Sequence, residues 1–151
     1  KQDLNNELEY KTRKGFITEG IETKNGRIFV KKIDLKNRTD TIEKDLNKLF
    51  NLCKHKKVIL VTHTPPYETT LDLIDKNEHV GSCAIRKIIK ERKPILSLHG
   101  HVHETVDVSG KFLDKINKTI CVGVGNYYTT KTLAITEFNI YNLKSVRRKI
   151  I

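Results

Sequence analysis

"VILVTHTPPY", residues 58–67, joins a short apolar run to a histidine and a proline pair. Val58 to Val61 is β-branched and leucine-rich, with no polar residue alternating through it. That pattern marks a strand buried on both faces, as in a sheet covered by helices. Pro65 and Pro66 cannot continue a strand ladder, so His63 stands where the strand ends. The pattern then repeats downstream. "GSCAIRKIIKERKP" (81–94) predicts a helix with Ser82 as N-cap, Ile85, Ile88 and Ile89 on its inward stripe, and Pro94 as its stop. "ILSL" (95–98) predicts a second buried strand, and "HGHVHE" (99–104) follows at its end. Strand, loop, helix, strand, loop is an α/β order, and the two loops carry His63 and a histidine cluster.

Working outward from this unit, "KNRTDTIEKDLNKLFNLCKHKK" (36–57) predicts a preceding helix. Ile42, Leu46, Leu49, Phe50 and Cys53 fall on one helical stripe. Asp40 with Glu43 forms a capping box, and lysines gather at the C-terminal end. Residues 1–38 read as a connective segment, with a β-hairpin signalled by Asn25-Gly26 between apolar flanks. After Thr105 the chain changes character. "TVDVSG", "KTICVGVG", "TLAITEFNI" and "LKSVRRKII" read as antiparallel strands, with turns at Ser109-Gly110, Gly125-Asn126 and Tyr141-Asn142.

Composition bounds the function classes. The chain has 151 residues, enough to bury the core of one domain. No apolar run approaches the ~20 residues of a membrane span, so no membrane role is expected. Cys53, Cys83 and Cys121 are widely spaced with no C-x-x-C pair and read as reduced, half-buried thiols of a cytoplasmic protein. The net charge of +11 allows a nucleic-acid partner. The lysines are spread along the chain, however, and a solvated basic surface is the favoured reading. Methionine is absent, even at position 1. The expectation is therefore a piece of something longer.

The chain has six histidines, and His99, His101 and His103 sit within five positions. In open α/β sheets ligands bind outside the carboxyl ends of the strands, where His63 and this cluster both lie. In extended chain, residues i and i+2 point to one side about 6.6 Å apart, so His101 and His103 can serve one metal or two neighbouring metals. Gly100 allows an unusual backbone angle between them. A lone His63 or a lone H-x-H is more often structural, but two strand ends converging with three imidazoles favour metal. His99 is read as structural or as supporting the ligands from behind, because Gly100 breaks the alternation. His55, among lysines at a helix end, reads as solvent-facing or helix-capping. His79, just ahead of a helix N-terminus, can cap the helix or touch an anion.

"VILVTHTPPY" followed by "GHVHE" resembles the C-terminal half of the calcineurin-like metallophosphoesterases. "TIEKDLNKL" (41–49) and "HVGSCAIRKIIKERKPILSLHGHVHET" (79–105) resemble in particular the small prokaryotic stand-alone members, and the likeness spans residues 39–140. The resemblance implies the C-terminal part of a four-layer α/β/β/α sandwich over residues 39–151. It implies a hydrolase with two divalent ions at the strand ends; Mn, Fe, Zn and Mg are not distinguished. His63 and His101 match the two histidines that ligate one ion, and His103 the histidine that ligates the other. The ions would polarise the phosphoryl oxygens of a phosphate ester and generate a hydroxide for in-line attack. Tyr67 and His79 are then the candidates for substrate contact.

The family's Asp-x-His, bridging Gly-Asp and Gly-Asn-His/Asp elements do not occur in this sequence. They belong to an N-terminal half, which becomes the expected partner. Two cations held by imidazoles alone would lack charge neutralisation, so the chain alone is expected to be weakly active or inactive. "VGVGNYY" (122–128) lacks the Asn-Pro-Gly-Ser turn that many members carry at this place. Three rivals remain: a non-catalytic module with a single His₃ zinc site, a basic nucleic-acid-binding domain and a purely structural fragment.

Overall fold

The computed structural model describes residues 17–34, 41–54, 57–75, 78–126 and 131–151. The connective reading of residues 1–16 and 35–38, Asp40 as a cap and the role of His55 lie outside these residues.

The middle of the chain is a βαβ unit, and it sits where the sequence puts it. Strand β3 (Ile59–Thr62) runs into a long loop, helix α2 (Cys83–Arg92) follows, and strand β4 (Leu96–His99) returns parallel to β3. Ser82 caps α2 by accepting from the Ile85 amide at 3.1 Å. Lys93 closes it in the left-handed conformation (φ 50°) just ahead of Pro94. Ile85, Ile88 and Ile89 are buried against Leu60, Leu71, Ile116 and Cys121, which places the core between α2 and one face of the sheet.

Helix α1 (Ile42–Leu52) lies beside α2. Its cap is Thr41, whose hydroxyl accepts from the Lys44 amide, one residue after the expected Asp40. The expected five-residue stripe is narrower than the sequence suggests. Leu46 is buried and Ile42 and Phe50 pack partly against the core, but Leu49 and Cys53 are exposed. Polar contacts finish the interface: Lys87 pairs with Glu43 at 2.5 Å, and Arg92 donates to Asn47 and Asn51. The three thiols therefore divide, with Cys53 exposed, Cys83 half-buried and Cys121 buried.

Two expectations fail downstream of β4. "TVDVSG" is not a strand but a short helix, α3 (Thr105–Ser109), ended by Gly110 at φ 68°. The alternating valines suggested a strand, but the Ser109 hydroxyl donates to the Thr105 carbonyl and the Thr105 hydroxyl to that of Thr70. These bonds favour a single helical turn. The strands that follow are also not all antiparallel. Strand β6 (Thr119–Gly123) runs parallel to β4 and antiparallel to β5 (Leu113–Ile116), a strand the sequence did not announce. The β5–β6 turn places Asn117 at φ 56°.

The sheet order is β3-β4-β6-β5. This corrects the reading of β3 as buried on both faces. It is an outer strand, and Val61 is 71% and Ile59 39% exposed on the face away from α2. The last two strands, β7 (Ala134–Asn139) and β8 (Asn142–Ile150), form a separate antiparallel hairpin. Asn126 joins it to the end of β6, its side-chain amide exchanging two 2.7 Å hydrogen bonds with the Ala134 backbone. Leu143 and Val146 of β8 line one cavity of about 590 Å³ with Leu113 and Ile120 of the four-stranded sheet. Upstream, β1 (Ile17–Lys24) and β2 (Arg27–Asp34) form a two-stranded hairpin. Its turn is Asn25-Gly26 (φ 51° and 73°), the left-handed pair that a two-residue hairpin turn demands. The described residues thus form a mixed α/β fold, with the ends of β3 and β4 side by side.

Candidate metal centre

Parallel pairing carries β3 and β4 to the same end of the sheet, and their last paired residues are Thr62 and His99. One residue further, the Gly100 amide donates to the His63 carbonyl at 2.9 Å. That contact brings the two loops together at their roots. His63 Nε2 and His101 Nδ1 lie 3.1 Å apart, with the rings edge-to-face at 66° and a centroid separation of 4.9 Å. Two nitrogens bound to one ion at about 2.0–2.1 Å, at cis-octahedral to tetrahedral angles, are about 2.9–3.4 Å apart. The two rings are at hydrogen-bonding distance, and the same separation matches the bite of one divalent ion.

The backbone makes this approach in a way the sequence did not indicate. Gly100 was the expected site of the unusual angle, yet it is His101 that takes it, at φ 71°. A Cβ on Gly100 would meet only ordinary contacts, 3.7 Å from the His63 carbonyl oxygen and 3.9 Å from its Nδ1. A β-carbon is strained in the left-handed region at a cost of about 1–2 kcal/mol, so the chain holds a ligand candidate in a disfavoured conformation. The cluster is also not an extended strand, since β4 stops at His99. His101 and His103 are exposed while Val102 between them is buried. Partial desolvation of the ring against its neighbours, then the nearby His63 and His103, hold the His101 imidazole below its usual range, with the Glu104 carboxylate opposing them. Among the described residues no three His, Cys, Asp or Glu side chains gather around one point as a ready metal cage. His63 and His101 could supply one edge of a coordination shell, with further ligands from elsewhere.

His99 points the other way, into the protein, and is 6% exposed. The Thr62 hydroxyl donates its one hydrogen to the Thr64 carbonyl at 3.0 Å, so it accepts from His99 Nδ1–H at 2.8 Å. That assigns the neutral tautomer, with Nε2 bare. Nε2 has no partner among the described residues. Burial pushes the imidazole down to about 4.

Tyr67 and His79 meet on the loop between β3 and α2, edge-to-face at 5.9 Å. His79 Nδ1 is 2.8 Å from Asp72 Oδ1, and Asp72 is fully buried. The same carboxylate accepts from the amides of Glu68, Thr69 and Gly81, while the Thr69 hydroxyl donates to the Pro66 carbonyl at 2.8 Å. Asp72 thus ties residues 68, 69, 79 and 81 together and orients His79, a role the sequence did not announce. The available signal was weak: Thr69 three positions ahead of an aspartate, as in many side-chain-capped turns. Gly81 has no substitute here, since a Cβ would lie 2.7 Å from Asp72 Oδ2 and from the Tyr67 amide. Arg86 completes the frame by donating to the Tyr67 and Glu68 carbonyls at 2.6 and 2.7 Å.

No family model matches the chain. Over 87 residues, 54% of this chain, it is 42% identical to the uncharacterized protein MJ1162 of Methanocaldococcus jannaschii. The match covers 38% of that protein, so the chain spans well under half the length of the curated relative it matches. Among solved structures, one crystal structure is similar over 55% of this chain and 30% of its own, at 27% identity and a TM-score of 0.44. The crystal structure of TT1561 of Thermus thermophilus is similar over 71% of this chain and 40% of its own, at 17% identity and a TM-score of 0.47.

Proposed function

We propose that this chain carries the C-terminal histidine ligands of a dinuclear metal site, and that the complete site hydrolyses phosphate esters as a calcineurin-like metallophosphoesterase. The observation that carries this is the 3.1 Å approach of His63 Nε2 to His101 Nδ1 at two adjacent parallel strand ends. In this reading His63 and His101 hold one ion and His103 serves the second. Bound divalent ions supply positive charge to polarise the phosphoryl oxygens and a nucleophile at neutral pH. Tyr67 and His79 contact the substrate, with His79 oriented by Asp72 behind it.

The carboxylates that neutralise and bridge two ions come, in this proposal, from an N-terminal half on the same or a separate chain. The outer strand β3, with Ile59 and Val61 exposed, is where that half pairs and completes the four-layer sandwich. No helix among the described residues is long and apolar enough to cross a membrane.

The test is hydrolysis of an aryl phosphodiester with Mn²⁺, by residues 1–151 alone and with the upstream segment supplied. The expected result is weak turnover alone and a gain of several orders of magnitude when completed, each factor of ten being about 1.36 kcal/mol of barrier. Full activity from this chain alone would refute the half-site. A completed, metal-loaded protein with no activity would refute the hydrolase and favour a non-catalytic zinc module.

A further inference from the structure

The proposed ligands explain His63 and His101 but not the buried pair immediately behind them. Thr62 and His99 are the last register partners of β3 and β4, and each directly precedes the loop that carries a ligand. His99 Nδ1–H donates to the Thr62 hydroxyl, which donates onward to the Thr64 carbonyl. This relay grips the chain on both sides of His63, at positions 62 and 64. The Gly100 amide, adjacent to His99, grips the His63 carbonyl between them. Every one of these bonds runs from the end of β4 to the residues around His63, or within them.

We infer that His99 is a positioning residue, whose Nδ1–H locks the ends of β3 and β4 through the Thr62 hydroxyl and so holds His63 and His101 at chelating distance. This inference rests on the metal reading above. The position argues for it. A buried strand end is ordinarily filled by an apolar side chain, and a buried ring nitrogen without a partner costs free energy. His99 occupies such a place at 6% exposure with Nε2 unpartnered among the described residues, so its value lies in what Nδ1 does. The geometry it protects is sensitive. His101 sits at φ 71°, a conformation the local chain does not choose, and it follows directly from the anchored Gly100. Release of that anchor lets His101 relax and the pair open.

The experiment is Co²⁺ titration of the full chain, reading both affinity and the visible spectrum of the bound ion, alongside urea unfolding of each metal-free variant. His99→Leu fills the space without a donor. Thr62→Val removes the hydroxyl at constant shape. His99→Asn places an amide donor where Nδ1 stands. Loss of a supporting hydrogen bond behind a metal ligand costs about 10–100-fold in affinity. His99→Leu and Thr62→Val should therefore weaken Co²⁺ by at least about tenfold and alter its spectrum. His99→Asn should restore both. Should His99→Leu fail to fold, Thr62→Val decides alone. Wild-type affinity and spectrum in Thr62→Val, or an Asn variant as impaired as the Leu variant at equal stability, would overturn the inference. His101→Ala run in parallel separates the two levels. If it abolishes binding while Thr62→Val does not, only the positioning role falls. If it binds like wild type, the metal site itself falls.

Discussion

The two loops that leave β3 and β4 carry the same kind of side chain but are built in opposite ways. The loop from His63 to Ser82 is long, and its described residues are arranged around one buried carboxylate. Asp72 gathers three amides and an imidazole, and Pro65 and Pro66 are buried within the same frame. The loop from Gly100 to Glu104 is short, exposes His101 and His103, and holds His101 in a left-handed conformation with only Val102 buried beneath. The first is a scaffold whose polar interior fixes its shape. The second is a tip that stores strain and is held at its root by His99 and Gly100. Each loop thus contributes one ring of the His63–His101 pair, the first from a polar frame and the second from a strained tip.

The sharpest way to break that contrast is Asp72→Ala. Removing the carboxylate leaves several buried donors without an acceptor, and such losses cost about 3–5 kcal/mol. Urea unfolding should show a drop of that size. A change under about 1 kcal/mol would mean the loop is held by something else.

A smaller effect is expected from pH, through His99 at the root of the second loop. Its folded value is about 4 against an ordinary 6.5, because burial disfavours the charged ring. The unfolded chain therefore takes up a proton below about 6.5 that the folded protein refuses until about 4. Stability is complete above about 6.5 and declines as pH falls toward 4, by about 3 kcal/mol in all. Unfolding midpoints of the metal-free protein across this range should show the slope, and His99→Asn should remove most of it. An unchanged slope in the Asn variant would assign the acid sensitivity to other groups.

The smallest effect isolates the strain in the tip. His101→Ala and His101→Gly both remove the imidazole, but only glycine is at ease at φ 71°. The glycine variant should be more stable than the alanine variant by about 1 kcal/mol. Equal stabilities would show that the left-handed backbone carries no cost.

What the sequence disclosed follows the range of the forces involved. Helix α2 was readable because its cap Ser82, its isoleucine stripe and its stop at Pro94 are all local. The Asn25-Gly26 turn was readable for the same reason. The open face of β3 was not. Val61 and Leu96 are both apolar, and only the sheet order leaves one 71% exposed and the other fully buried. Strand β5 was hidden because Asp114 and Lys115 interrupt its apolar pattern, while its register with β6 is set by tertiary pairing. The meeting of His63 and His101 could be anticipated from their strand-end positions. Asp72 could not, because its partners at 68, 69, 79 and 81 become neighbours only when the loop closes. Nor could the strain at His101, since the adjacent glycine was the natural place to expect it.

The metal reading requires the ends of β3 and β4 to bring His63 and His101 together around one divalent ion. Calorimetric titration of Zn²⁺ into the metal-free chain at neutral pH tests it most directly. Wild type should take up Zn²⁺ saturably. His63→Ala and His101→Ala should each weaken that uptake by at least about tenfold, or 1.4 kcal/mol, with unfolding midpoints near wild type. Uptake that survives both substitutions unchanged, or a wild-type chain that binds no Zn²⁺, would contradict it.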